Sequence, residues 1–151
     1  MDMLVKKEKI FDNIVAVSGT KKEAIRTISR LCAKQTMFDA TQLEEAFWKR
    51  EEWDSTGCGE GIAIPHAIIK EIDEVQLFIV RFRYPIVWES FDDKKVDIAF
   101  AIIAPEEKGQ EKYLVFLSRL ARKLVDEKFI ADFRNCRSTE AVYQYVKNEL
   151  E

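Results

Sequence analysis

The sequence is short of turn formers and of imidazole: five glycines, three prolines and one histidine among 151 residues. No Pro/Gly/Ser-rich linker, repeat or low-complexity tract divides it, so residues 1–151 read as one domain. A charge surplus is lacking too. Lys plus Arg total 24 against 27 Asp plus Glu, for a net charge of -3, which leaves nothing to hold a phosphate backbone and argues against nucleic acid as a partner. Long hydrophobic runs are absent: "IAFAIIA" at Ile98 to Ala104 falls far short of the roughly 20 apolar residues of a membrane helix, so no direct membrane insertion is expected. The opening "MDMLVKKEKIFD" has lysines but neither a long apolar stretch nor a small-residue cleavage site behind them, and a cytoplasmic location is expected. Cys32, Cys58 and Cys136 are odd in number and form no C-x-x-C pair. They suggest neither a disulfide framework nor a thiolate metal site, and read as small buried hydrophobes. With one histidine and no paired thiols, neither a metal nor another cofactor is expected.

What is present is core material: 47% of the residues are hydrophobic and 11% are aromatic, enough for a sizeable interior at this length. Thr20 with Glu23 forms a capping box that predicts a helix from about Lys21 to Thr36, with Ala24, Ile25, Ile28, Leu31 and Cys32 on one stripe. Asp39 with Gln42 caps a second helix, through "QLEEAFWKREEW", that ends near the glycine segment. Val75 to Phe82 and Val96 to Ile103 are rich in Val, Ile and Phe and predict two strands, with a shorter one in "YPIVWES" because Pro85 is best tolerated at a strand start or edge. After Pro105 the apolar stripe Leu114, Leu117, Leu120, Ala121 and Leu124 predicts a helix. Shorter helices follow at Asp126 to Phe133 and from the Ser138 cap to the C-terminus. Helices, then strands, then helices predict an α/β single-domain layered sandwich in which a small mixed sheet is flanked by helices.

The chemistry gathers at "GEGIAIPH", Gly59 to His66. Gly57, Gly59 and Gly61 at alternate positions admit positive φ and close approach of the main chain, so several N–H groups can be aimed at one anion. The plainer reading is a flexible connection, since the spacing matches neither phosphate-binding fingerprint. Pro65 fixes its own φ and pushes Ile64 toward an extended conformation, so the backbone entering His66 is stiff. A neutral imidazole so presented can be a nucleophile, a base or a ligand. A Cys58–His66 nucleophile and base pair is allowed by residue type, although both lie on one short segment with no orienting residue in view. A lone, hydrogen-bonded structural histidine stands as the simplest alternative.

The stretch "REEWDSTGCGEGIAIPH", Arg50 to His66, resembles the signature of the fructose/mannitol-type enzyme IIA domains of the bacterial phosphoenolpyruvate-dependent sugar phosphotransferase system. "IAFAIIAP" and "YLVFLSRLARKL" are similar to that family's core strand and the helix after it, so the resemblance spans nearly the whole chain. It implies that His66 accepts a phosphoryl group, on Nε2, from the phosphohistidine of the carrier protein HPr and passes it to a IIB domain of a sugar permease. The other ring nitrogen would then be held by a hydrogen bond. It also implies support from Arg50, whose fork suits phosphoryl oxygens, from Thr56 through its hydroxyl, from the amides of Gly57 and Gly59, and from Tyr113. Tyr113 replaces a second histidine that many members carry and can donate a hydrogen bond without carrying charge. Glu60 matches an acidic position and is read as a ring-orienting residue, and Cys58 as a packing substitution. Isoleucines 62, 64, 68 and 69 divide between core and an apolar docking rim. Two functions follow: a IIA phosphocarrier for sugar uptake, or a nitrogen-type regulatory module whose phosphorylation state a protein partner senses. The sugar is not readable.

Overall fold

The computed structural model describes residues 4–151. Its strands are β1 (Ile10–Ile14), β2 (Gly57–Gly59), β3 (Ile62–Ala63), β4 (His66–Ile69), β5 (Gln76–Ile86) and β6 (Val96–Pro105), and its helices α1 (Lys21–Ala33), α2 (Ala40–Glu51), α3 (Gln110–Leu124), α4 (Glu127–Arg134) and α5 (Thr139–Leu150). The sheet runs β1-β5-β6-β3-β2, with β4 also paired to β6. It is mixed: β5 and β6 are antiparallel, whereas β3 and β4 both run parallel to β6 along one edge.

Period-two alternation along β6 divides the core. Ile98, Phe100, Ile102 and Ala104 meet α3, α4 and α5, while Ala99, Ala101 and Ile103 meet α1 and α2. Both faces are dry, so β6 reads as the continuous apolar run expected of a strand buried twice. Phe100 is fully buried and stacks at 5.3 Å on Phe133, and truncating such a ring to alanine removes about 3–5 kcal/mol.

The caps act as the sequence predicts. Thr20 accepts from the Glu23 amide, Asp39 from the Gln42 amide and Ser138 from the Ala141 amide. The Glu23 carboxylate, however, turns to Arg26, and α1 stops at Ala33, short of Thr36. The separate strand expected in "YPIVWES" is absorbed into β5, which continues through Pro85 to Ile86. A register shift between Arg81 and Ile86 accommodates it, since an irregular stretch tolerates a residue with no N–H to give to the ladder. Strands β1 to β4 are too short to announce themselves by periodicity. β1 also carries Asn13 at φ 55. Among the described residues no helix is long and apolar enough to cross a membrane.

Candidate functional site

The splice between β3 and β4 presents His66. Ala63 pairs with Ala99 and His66 with Ile102 on the same neighbour, and between them the Pro65 carbonyl accepts from the Ile102 amide at 2.9 Å. The stiff Ile64–Pro65 joint is thus fixed to the central strand, and His66 begins β4 with its ring toward α3. There Tyr113 meets it edge-on, with centroids 6.2 Å apart and planes at 77°. Both residues are 7% exposed. His66 Nδ1 is fully buried and makes no hydrogen bond of normal geometry, with the Ile64 backbone as a weak hydrogen-bonding group for the ring, so what exposure the residue keeps lies away from that atom. An unpaired buried polar atom costs about 1–3 kcal/mol, and here that cost falls on the one imidazole in the chain.

Burial, and after it the positive charge of Arg50, lowers the His66 pKa to about 4, against weaker opposing effects of the Ile64 backbone and Glu51. The ring is therefore neutral at pH 7, with a lone pair to offer. Burial likewise raises the Tyr113 hydroxyl, with Arg50 acting in the opposite sense. Arg50, half-buried at the end of α2, thus bears on both rings. It donates through Nη1 to the Asp54 carbonyl at 2.7 Å and lies 5.8 Å from the Trp53 ring centre. It forms no ion pair with Glu51 or Glu52 among the described residues. Three of the residues singled out in the sequence, His66, Arg50 and Tyr113, are therefore brought together from three separate elements.

The others are placed differently. The Thr56 hydroxyl donates to Glu51 Oε1 at 2.6 Å, and the Thr56 amide to Glu51 Oε2 at 2.8 Å, so its proton is already committed. The Gly57 amide donates to Ser55 Oγ at 3.3 Å. Gly57 is glycine for want of space, since a Cβ there would lie 2.2 Å from the Glu89 carbonyl oxygen. Gly59 stands at φ 87 under Phe91, whose ring a Cβ would meet at 2.4 Å. Gly59 pairs with Ile62, itself level with Ile98, whereas His66 is level with Ile102. Four residues of strand separate the levels, roughly 13 Å at 3.3 Å each. The glycine turn and the imidazole do not converge. Glu60 does not orient the ring: its carboxylate pairs with Lys94 at 3.4 Å and its amide donates to Asp92. Cys58 donates to the Thr56 carbonyl at 3.5 Å, and burial pushes its thiol up to about 11, which leaves almost no thiolate for a nucleophile. Of the four isoleucines, Ile62, Ile64 and Ile69 are core and Ile68 is 40% exposed.

Glu51 went unremarked as a site residue in the sequence. It is 4% exposed and accepts from the Thr56 amide and hydroxyl, from Trp88 Nε1 at 3.2 Å and from Lys21 Nζ at 3.2 Å. The available signal was a glutamate at the inward end of an amphipathic helix, which a charged residue occupies only when paired.

A mixed sheet between two helical layers is also the fold of phosphotransferase IIA domains. The chain superposes on the nitrogen regulatory protein IIA-Ntr of Neisseria meningitidis with a TM-score of 0.85 at 24% identity, covering 95% of this chain and 96% of that one. For the mannitol IIA of Escherichia coli the TM-score is 0.72 at 21% identity, over 93% and 97%. Residues 3–149 match the family model "Phosphoenolpyruvate-dependent sugar phosphotransferase system, EIIA 2", and the chain belongs to that family. A nitrogen regulatory protein of Escherichia coli K12 is 36% identical over 84% of this chain and 78% of its own length. Multiphosphoryl transfer protein 1 of the same organism is 33% identical over 72% of this chain, a stretch that is 13% of that much longer protein.

Proposed function

We propose that this chain is a nitrogen-type regulatory IIA module: His66 takes a phosphoryl group from the phosphohistidine of an HPr-type carrier, and a protein partner reads the phosphorylation state. The observation that carries the regulatory reading is the 36% identity to a nitrogen regulatory protein across most of both chains. The sugar-carrier reading has the 33% match to multiphosphoryl transfer protein 1 as its support, over a shorter stretch.

The site supports the transfer chemistry in this way. The neutral His66 ring attacks phosphorus with a nitrogen lone pair. The donor's N–P bond breaks, its electron pair stays on the donor imidazole, and a new N–P bond forms on His66. Nδ1 is sealed in the core, which favours attack through Nε2. Such a transfer asks for positioning and stabilisation of spread negative charge. Arg50 supplies a cation that both rings sense, and Tyr113 an aromatic ring set edge-on to the acceptor. The low pKa keeps the acceptor unprotonated at neutral pH, at the expense of basicity.

The test is incubation with enzyme I, HPr-type carrier and phosphoenolpyruvate, followed by mass spectrometry for one acid-labile phosphate. The parent is expected to take it up and His66→Ala to take up none; equal labelling of the two overturns the assignment. Adding IIB domains then separates the readings, because a sugar carrier unloads onto its IIB within the time of mixing and a regulatory module retains its phosphate.

A further inference from the structure

We infer that Glu51 is the positioning residue of the His66 site: its buried carboxylate ties the end of α2, which carries Arg50, to Thr56, the residue against which the approach to His66 is laid. The inference rests on His66 as the phosphoryl acceptor and goes beyond it by naming what holds the two participants in register. Glu51 follows Arg50 directly. One carboxylate oxygen receives the Thr56 hydroxyl at 2.6 Å and the other the Thr56 amide at 2.8 Å, so five residues of turn are closed by a two-point clamp. On its far side Thr56 accepts from the Ile64 amide at 2.9 Å through its carbonyl, two residues before His66. Within the closed turn lies the Asp54 carbonyl that receives Arg50 Nη1 at 2.7 Å. The guanidinium and the imidazole are therefore referred to the same carboxylate, one through the turn it closes and the other through Thr56.

The clamp is itself anchored. Trp88 Nε1 and Lys21 Nζ, each at 3.2 Å, bind Glu51 from the segment after β5 and from the first residue of α1. With four donors and a compensating cation, the carboxylate meets the conditions under which a buried charge is stable. None of the four donors comes from the reacting pair. Glu51 thus acts through Thr56 and the turn, and its removal should misplace Arg50 relative to the ring rather than remove a contact to the phosphoryl group.

Glu51→Gln and Thr56→Val test this separately and together, with thermal melts to confirm folding. Phosphoryl uptake from the phosphorylated HPr-type carrier should lose about 10- to 100-fold in kcat in Glu51→Gln, as a small misplacement does, with KM for the carrier unchanged. Thr56→Val, which keeps the amide half of the clamp, should lose less. The double variant should be no worse than Glu51→Gln to within about twofold, because the two share one path. A loss confined to KM, or additive losses, overturns the inference. A parent that takes no phosphate overturns the acceptor reading instead, and the clamp is then judged by the NMR titration of the single imidazole. The groups bearing on that ring are Arg50 and Glu51 from α2 and the Tyr113 phenol from α3. Loss of the Glu51 charge alone lowers the His66 pKa from about 4, whereas release of Arg50 raises it. A rise in Glu51→Gln is expected; a fall or no change overturns the positioning role.

Discussion

Two turns lead to the same histidine, and they are built on opposite principles. Residues 50–56 close around a buried carboxylate with four donors. Residues 57–61 are held from outside, by Asp92 on the Glu60 amide, Lys94 on the Glu60 carboxylate, and Arg134 on the Glu60 carbonyl at 2.7 Å. The carboxylate at the centre of the first turn is desolvated, although residues 52–54 around it face solvent, and removing one partner from such a buried network typically costs about 3–5 kcal/mol. Among residues 57–61 only Glu60 is exposed, and the contacts of its side chain are individually weak. Alternate glycines suggest an anion cradle, yet the register places Gly57 and Gly59 three and four residues along the strand from the level of His66, roughly 10 and 13 Å. The plain Arg-Glu pair before them acts on the ring through charge, Arg50 more strongly than Glu51. A motif can therefore be diagnostic of a family while its most conspicuous letters serve packing.

If the first turn serves transfer and the second serves the fold, substitutions on the two sides should divide between rate and stability. The largest effect is expected at Arg50. Arg50→Ala should lower phosphoryl uptake about 100-fold, the usual loss for one preorganised charge at a reacting group, with little change in melting temperature because the guanidinium's one hydrogen bond is at a partly solvated surface. The pH profile carries a second signature. The acceptor works as the neutral ring, and its pKa of about 4 is lowered first by burial and then by Arg50. The parent should be flat from pH 8 down to about pH 5 and fall below that. Without the guanidinium the pKa rises toward the ordinary 6.5, so the acid limb moves to higher pH. Stopped-flow uptake across that range checks both. An acid limb that stays in place would mean that Arg50 is not fixed beside the ring.

Gly57→Ala should show the opposite division. Its Cβ would stand 2.2 Å from the Glu89 carbonyl oxygen and 3.1 Å from the Ser90 Cβ, so the segment after Trp88 must move. Overpacking of this kind costs roughly 1–3 kcal/mol, read as a lower denaturant midpoint. Transfer per folded molecule should stay within about threefold of the parent, since the clamp on Thr56 does not pass through Gly57. A rate loss as large as that of Arg50→Ala would return the glycine segment to the site.

How far the sequence led follows the same line. The layered α/β fold, the three helix caps and the two long strands were legible because they rest on local rules: cap chemistry, 3.6 and 2 residue periods, and apolar runs. Strands β3 and β4 were not, for two and four residues carry no period, and only pairing with β6 makes them strands. Of the candidate site, His66, Arg50 and Tyr113 were singled out through the family resemblance, because residue chemistry by itself left a structural histidine as the simplest reading. Thr56 was recognised but its hydroxyl was assigned to the phosphate instead of to Glu51, because a side-chain bond between residues five apart depends on how the turn closes. Glu51 lay hidden for the same reason: whether a helix-end carboxylate is solvated or buried is decided by Lys21 and Trp88, which lie 30 and 37 residues away in sequence.

The smallest effect is expected at the exposed point of the second turn, Glu60. Glu60 and Lys94 pair at 3.4 Å with side chains 55% and 58% exposed, so both charges keep most of their hydration and the pair gains little by meeting. Glu60→Gln and Lys94→Met should each change stability by less than about 0.5 kcal/mol, and neither should alter the rate of phosphoryl uptake or its pH profile. The comparison is sharpened by the asymmetry of the two glutamates. Glu51 and Glu60 both precede His66, by 15 and by 6 residues, and they differ in burial, 4% for Glu51 against an exposed chain for Glu60. If Glu60→Gln slowed transfer as Glu51→Gln is expected to, solvent exposure would be no guide to which carboxylate governs the site, and the division between a buried clamp and an exposed latch would fail.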